Sequence, residues 1–181
     1  MTGRRGLAAA ALALAARSAA AAPGLPAVTL IDQDGAPRAL AGLGRGRPLV
    51  LSFFFSGCTT LCPPQAMALQ ALQEELAGRA PAVAPLLLSV SLDPLGDTPE
   101  AMRRLAARFG LSLGLQRGWL LLGGEPAQLA RVWAAFEAPD GRPTDHAALL
   151  WLGAAEDRAW RRVGALTPTA TLADLLLRSP P

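Results

Sequence analysis

Runs of consecutive apolar residues alternate along this chain with segments in which apolar residues recur every three or four positions. A continuous apolar run of strand length is typical of a strand that is covered on both faces. The sequence therefore predicts buried strands at 48–55, 86–92 and 119–122. A shorter strand is predicted at 28–31, because an Asp- and Gly-containing turn follows it.

Each buried strand is followed by a segment with helical spacing. Leu69, Leu72 and Leu76 predict a helix that opens at Pro63, since proline suits the first turn of a helix, and that stops at Gly78. In the same way, 97–100 supplies an N-cap, a first-turn proline and a first-turn acid for a second helix, which ends at Gly110. The remaining predicted elements are a helix with its apolar face at 129–136, a hairpin of strands at 147–152 and 159–163, and a closing helix at 168–178. This order predicts an α/β fold with one mixed sheet and helices on both faces.

The first residues have the layout of a secretory signal. A basic start with Arg4 and Arg5 precedes an apolar run at 6–16, which is too short for a typical membrane-spanning helix. We expect a signal peptide over residues 1–21 and a single domain over 22–181. The alternatives are a disordered Ala-rich tail and an uncleaved signal that tethers the protein to the membrane.

Charge excludes one class of partner once the signal is set aside. The chain has 17 basic and 14 acidic residues, but Arg4, Arg5 and Arg17 all fall in the predicted signal. Basic and acidic residues then balance, so we expect no nucleic-acid partner.

The chain contains only two cysteines, Cys58 and Cys62, and three residues separate them. A disulfide that closes so small a ring restrains little chain entropy and would stabilise the fold little. In an exported protein this favours a reactive pair of thiols over a structural disulfide, which stays the alternative.

Four chemistry-bearing residues are expected at one edge of the sheet. Cys58 and Cys62 follow the first buried strand and Asp93 follows the second, and a right-handed crossover makes those strands parallel. His146 reaches the same edge only if the first strand of the hairpin runs antiparallel to them. For Asp93 two roles stay open, which are capping its own turn and orienting the site.

The chemistry of these groups favours copper. The positive end of the helix dipole would lie near the thiols, which predicts a lowered thiol pKa and hence thiolates. Two sulfur ligands and one imidazole suit copper in either oxidation state. A structural zinc site normally has four protein ligands, and a fourth would have to come from Asp93, Asp145 or solvent.

Three motifs resemble the SCO/SenC family, in the right order along the chain. They are the run 53–63, which is similar to that family's Cys-x-x-x-Cys-Pro copper motif, the segments 89–94 and 97–100, which look like its second signature, and 144–146, which is similar to its Asp-His element. Together they cover roughly residues 28–176.

The resemblance implies a thioredoxin-like fold and copper ligation by Cys58, Cys62 and His146, with Asp93 and Asp145 as candidates for orienting the ligands. It implies delivery of copper to the binuclear copper site of cytochrome c oxidase, with thiol–disulfide exchange at the cysteine pair as an associated activity. The expected partners are the oxidase subunit that carries this site and a second periplasmic copper chaperone or a thioredoxin-like reductant. The expected location is the periplasm.

Other functions stay open at this point. A thiol–disulfide reductase could keep the oxidase cysteines reduced without carrying copper, so the cysteine pair is the candidate catalytic group if the protein is an enzyme. A peroxidase of related fold would use one cysteine as its nucleophile. A copper or redox sensor is a fourth class.

Overall fold

The computed structural model describes residues 24–60, 62–138, 148–154 and 160–178. The predicted signal peptide lies outside the described residues, and so do Asp145 and His146. In the described ranges no helix is long and apolar enough to cross a membrane.

The strands form one mixed sheet. Their bounds are β1 Thr29–Asp32, β2 Pro37–Ala39, β3 Pro48–Phe54, β4 Leu86–Ser91, β5 Trp119–Gly123, β6 Leu149–Ala154 and β7 Arg161–Gly164. They lie side by side in the order β2-β1-β5-β4-β3-β6-β7. The central pairs β3–β4 and β4–β5 are parallel, and the outer pairs are antiparallel.

Helices cover both faces of this sheet, as predicted. Their bounds are α1 Leu40–Leu43, α2 Cys62–Arg79, α3 Pro99–Phe109, α4 Pro126–Ala135 and α5 Thr169–Leu177, with a short 3-10 helix at Leu115–Arg117. One hydrophobic core joins α4 to the side chains of Leu49, Leu51 and Phe53. The other joins α2, α3 and α5 to Val50 and Phe54 on the opposite face. Strand β3 is therefore buried on both sides, which explains why all but one of its residues are apolar.

The strand directions fix what meets at the edge of the sheet. Ser52 of β3 lies beside Ser89 of β4 in parallel register and beside Leu150 of β6 in antiparallel register. The start of β6 therefore lies at the carboxyl end of β3. This confirms that the first two buried strands are parallel and that the first hairpin strand runs antiparallel to them, as predicted.

Two elements differ from the prediction at the other side of the sheet. Neither strand β2 nor helix α1 was predicted. Strand β2 is an edge strand of three residues that begins at a proline, which is where a sheet tolerates proline. So short and exposed a strand has no hydrophobic pattern.

Candidate metal and redox site

The two cysteines lie where β3 turns into α2. Cys58 sits in a tight turn in which its backbone N–H donates to the carbonyl of Phe55 at 3.1 Å. Cys62 is the first residue of α2. Both cysteines are reduced, and each residue is only 4% exposed. The loop thus holds a reduced pair of thiols just beneath the surface.

A backbone hydrogen bond links the two cysteines directly. The N–H of Cys62 donates to Cys58 Sγ at 3.2 Å. In the first turn of a helix the N–H groups have no acceptor within the helix, so the sulfur of Cys58 takes the place of a capping group. This hydrogen bond holds Cys58 Sγ beside the amino end of α2. The thiolate is the form of a cysteine that binds metal or attacks a disulfide.

The predicted lowering of the thiol pKa is wrong for Cys62. The pKa of Cys62 is raised to about 12, chiefly by burial and then by a side-chain hydrogen bond with Cys58 and electrostatic interactions with Cys58 and Asp97, while a backbone hydrogen bond with Phe55 opposes the rise. Loss of hydration destabilises a thiolate at Cys62 more than the positive end of the α2 dipole stabilises it. Cys62 is therefore a neutral thiol at physiological pH until its sulfur binds a metal or forms a disulfide.

A buried carboxylate that we did not predict as a site residue holds the cysteine loop in place. Asp97, 4% exposed, accepts hydrogen bonds from the N–H of Ser56 at 2.7 Å and from the hydroxyl of Ser91 at 2.6 Å. It ties the loop after β3 to the end of β4. Burial raises the pKa of Asp97, although its hydrogen bonds with Ser56 and Ser91 act in the opposite direction.

The sequence interpretation missed Asp97 because it assigned 97–100 to helix capping. The cap is Thr98, whose side chain accepts from the N–H of Ala101 at 3.2 Å. Two residues able to cap precede Pro99, and one helix uses only one of them. That surplus is the signal that could have identified Asp97.

Asp93 caps its own turn, which is one of the two roles left open for it. Its Oδ1 accepts from the N–H of Leu95 at 3.3 Å and from the N–H of Gly96 at 3.0 Å. Its carbonyl accepts from the N–H of Asp97 at 2.9 Å. Asp93 thus shapes the turn that presents Asp97 to the cysteine loop.

A small cavity lies behind Cys62. It has a volume of about 20 Å³, and its walls include Cys62, Gln65, Ser89 and Trp119. Gln65 Nε2 donates to the carbonyl of Phe53 at 2.7 Å and so ties α2 to the end of β3. Gln65 is a second residue that supports the loop and that the sequence interpretation did not single out.

The described residues contain two of the three predicted metal ligands. Within the ranges that the structure describes, no group of three His, Cys, Asp or Glu side chains is placed to hold a metal ion. His146 and Asp145 lie outside those ranges. Strand β6 nevertheless begins beside the carboxyl end of β3, and its first residue follows His146 by three positions in the sequence.

Comparison with known proteins identifies the family. The SCO1/SenC family model matches residues 18–178. A SCO1 protein homolog from Bacillus subtilis (strain 168) is 33% identical over 84 residues, which is 46% of this chain and 42% of that relative. The chain thus aligns with less than half of the length of this curated relative.

Solved structures of this family share the fold. A SCO1/SenC family lipoprotein from Bacillus anthracis str. Ames has a TM-score of 0.70 at 23% identity, with 86% of this chain and 94% of that chain covered. The copper-bound ScoI of Bradyrhizobium japonicum has a TM-score of 0.68 at 23% identity, with 86% and 99% covered. BsSco, described as having a disulfide switch and as a member of the Sco family of cytochrome c oxidase assembly proteins, has a TM-score of 0.71 at 23% identity, with 84% and 91% covered.

These likenesses confirm the predicted thioredoxin-like fold, with its mixed sheet and flanking helices. The match to the family model extends over most of the 181 residues and contains all three motifs on which the resemblance rested. This chain belongs to the SCO1/SenC family.

Proposed function

We propose that this protein is a copper metallochaperone that holds copper with Cys58, Cys62 and His146 and delivers it to the binuclear copper site of cytochrome c oxidase. The observation that carries the proposal is the pair of buried, reduced cysteines, linked by the Cys62 N–H to Cys58 Sγ hydrogen bond, at the carboxyl end of β3. Copper-bound members of the family support the choice of metal.

The chemistry of the donors fits copper as cargo. Thiolates are soft ligands that favour Cu(I), and an imidazole extends the set to Cu(II). His146 stands three residues before β6, whose residue Leu150 lies beside Ser52 of β3. An extended chain of three residues spans roughly 10 Å, so His146 is within reach of the same edge of the sheet. Delivery then proceeds by exchange of these ligands for those of the acceptor site.

The location and partners follow from the family and the sequence together. The lipoprotein from Bacillus anthracis and the oxidase assembly role of BsSco support an exported protein whose partner is the oxidase subunit that carries the copper site. We propose a periplasmic location, reached through the signal at residues 1–21. A second copper chaperone would load the site, or a thioredoxin-like reductant would keep its thiols reduced.

The same thiols support disulfide exchange as a second candidate function. Cys58 Sγ attacks a partner disulfide, and one partner thiolate leaves. Cys62 Sγ then displaces the second partner thiolate, which takes the Cys62 proton, so that the pair is oxidised and the partner reduced by two electrons. The hydrogen bond between the two cysteines favours this reading, because it holds both in one short loop.

A copper titration of the reduced protein separates the two functions. Cys58→Ser, Cys62→Ser and His146→Ala are compared with Met67→Leu, a matched control that removes an exposed thioether from α2 near the site. Loss of a residue that merely orients a ligand costs about 10–100-fold in metal affinity. We therefore expect each ligand variant to lose at least that much, and Met67→Leu to bind one equivalent like the parent.

Two results would count against the chaperone. Copper affinity that is unchanged in the double variant Cys58→Ser/Cys62→Ser would remove the thiol site altogether. Copper affinity that is indifferent to His146→Ala, together with full disulfide reduction by that variant, would favour the reductase.

A further inference from the structure

Both thiols are buried within a loop whose own neighbouring residues are exposed. Cys58 and Cys62 are each 4% exposed, whereas Gly57, Thr59 and Thr60 around them are exposed and uncharged. A macromolecule that exchanges a ligand or a disulfide with Cys58 must therefore lie on this loop and on the surface that adjoins it.

The adjoining surface is a depression between the cysteine loop and α3. It measures about 280 Å³ and is lined by Ser56, Gly57, Ala101, Arg104, Leu105 and Arg108. Among the described residues that line it, none is acidic. Its walls offer two guanidinium groups beside the backbone of the cysteine loop.

The depression presents a positively charged surface to a binding partner. Arg108 lies over the ring of Phe109 at 5.2 Å and has no carboxylate partner in the described part of the chain. Arg104 pairs with Glu100 one turn earlier, but both side chains are largely exposed, so the pair contributes little and is easily exchanged.

The nearby acids do not line the depression, and hydrogen bonds hold them elsewhere. Asp97 is buried, and its two oxygens accept from Ser56 and Ser91. Asp93 directs one oxygen at the backbone of its own turn. The remaining basic residue of α3, Arg103, donates to the carbonyl of Gln33 on the far side of the helix from the loop.

We propose that this depression, bounded by Ser56, Gly57, Arg104 and Arg108, receives an acidic segment of the protein that exchanges copper or a disulfide with Cys58. The inference rests on the proposed function and adds the chemistry of the partner to it. Complementary charge at the rim of an interface raises the rate of productive encounter and fixes the orientation of the partner. Here it would bring the reacting group of the partner over Cys58.

The experiment measures disulfide exchange between the full reduced chain and two peptide dimers. Each dimer is linked by one disulfide, and the two differ only in whether glutamate or lysine flanks the cysteine. Exchange oxidises Cys58 and Cys62 to a disulfide and reduces the dimer to two peptide thiols. We expect the glutamate dimer to react on the order of 10-fold faster at low ionic strength, with the difference shrinking as salt screens the charges.

Charge variants locate the effect. Arg104→Glu/Arg108→Glu should reverse the preference, and the milder Arg104→Gln/Arg108→Gln should abolish it. Arg161→Glu/Arg162→Glu is the matched control, because it makes the same change in net charge at exposed positions of β7, two strands away from β3. It should keep the preference of the parent.

Two outcomes would overturn the docking inference, namely equal rates for the two dimers and an equal loss of preference in the β7 control. Copper binding measured on the same preparations keeps the proposed function separate. If every variant binds copper and none discriminates between the dimers, only the docking inference is wrong. If the parent neither binds copper nor exchanges disulfides, the proposed function is wrong and the docking inference is wrong with it.

Discussion

Asp97 offers a sharp test of how the cysteine loop is held. Its carboxylate accepts two hydrogen bonds from groups that have moved out of water, the N–H of Ser56 and the hydroxyl of Ser91. Hydrogen bonds to a charged group contribute about 1.5–3 kcal/mol each, and part of this is offset by the cost of burying the charge. Asp97→Ala should therefore lower the free energy of unfolding by about 2–4 kcal/mol.

Asp97→Asn should be much milder, because asparagine reproduces the geometry without the charge. Its Oδ1 can accept from the N–H of Ser56, and its Nδ2 can donate to Ser91 Oγ. Two neutral hydrogen bonds then replace two charge-assisted ones, while the desolvation cost of a carboxylate disappears. We expect a loss of no more than about 1 kcal/mol at neutral pH.

The raised pKa of Asp97 determines how its contribution to stability changes with pH. Burial raises the pKa of Asp97 in the folded protein above its value in the unfolded chain, so the folded state holds the proton more tightly. Its contribution to stability is then largest below the unfolded pKa of about 3.9 and is lost as the pH rises through the folded pKa. Asp97→Asn cannot titrate and should gain stability relative to the parent across that window.

Urea unfolding of the reduced protein between pH 3.5 and 7.5 measures this difference, since the other carboxylates titrate alike in both proteins. A difference that does not change with pH would show that the pKa of Asp97 is not raised. If the parent instead became more stable relative to Asp97→Asn as the pH rises, the hydrogen bonds of Asp97 would lower its pKa more than burial raises it. Either result refutes the reasoning.

Three further predictions follow from the site and its supports. Cys62 should resist alkylation at neutral pH in Cys58→Ser, because burial, the largest cause of its raised pKa, remains in that variant, and it should become reactive only at alkaline pH. Rapid labelling at pH 7, followed by mass spectrometry, would contradict this. Thr98→Ala should lower the free energy of unfolding by about 1 kcal/mol through loss of the α3 cap, with Thr98→Ser restoring most of it in urea unfolding, and equal stability of all three proteins would disprove the cap. Gly96→Ala should slow disulfide exchange, because the new Cβ would collide with the Asp93 carboxylate that shapes the turn, whereas Gly78→Ala, which meets nothing, should leave the rate unchanged.

Much of the fold could be predicted because its central elements carry strong local signals. Strands β3 and β4 are predominantly apolar, and α3 has a capping threonine at one end and Gly110 in a left-handed conformation, with φ 65, at the other. Strand β2 could not be predicted, because its exposed edge position leaves no hydrophobic pattern. Residues whose role is decided by their own neighbours in sequence were predicted well.

The cysteine pair itself was also predictable, from its spacing and its place between a strand and a helix. The state of the pair was not. The pKa of Cys62 depends on burial by residues far away in sequence, among them Leu105 and Trp119, which share a cavity wall with it. Asp97 was missed for the same reason, because its partner Ser56 lies 41 residues away. Local patterns place reactive groups, whereas tertiary contacts set their protonation.

The raised pKa of Cys62 has a consequence for how the site would work. A thiol that stays protonated at neutral pH does not bind a cation by charge alone, so copper must displace its proton. The affinity for copper should therefore rise with pH, by about tenfold per pH unit for each proton released at the site. Formation of a disulfide also removes this proton, so metal binding and oxidation compete for one buried sulfur atom. Isothermal titration of Cu(I) in buffers of different ionisation enthalpy counts the protons released, and a count near zero at pH 7 would contradict a neutral Cys62.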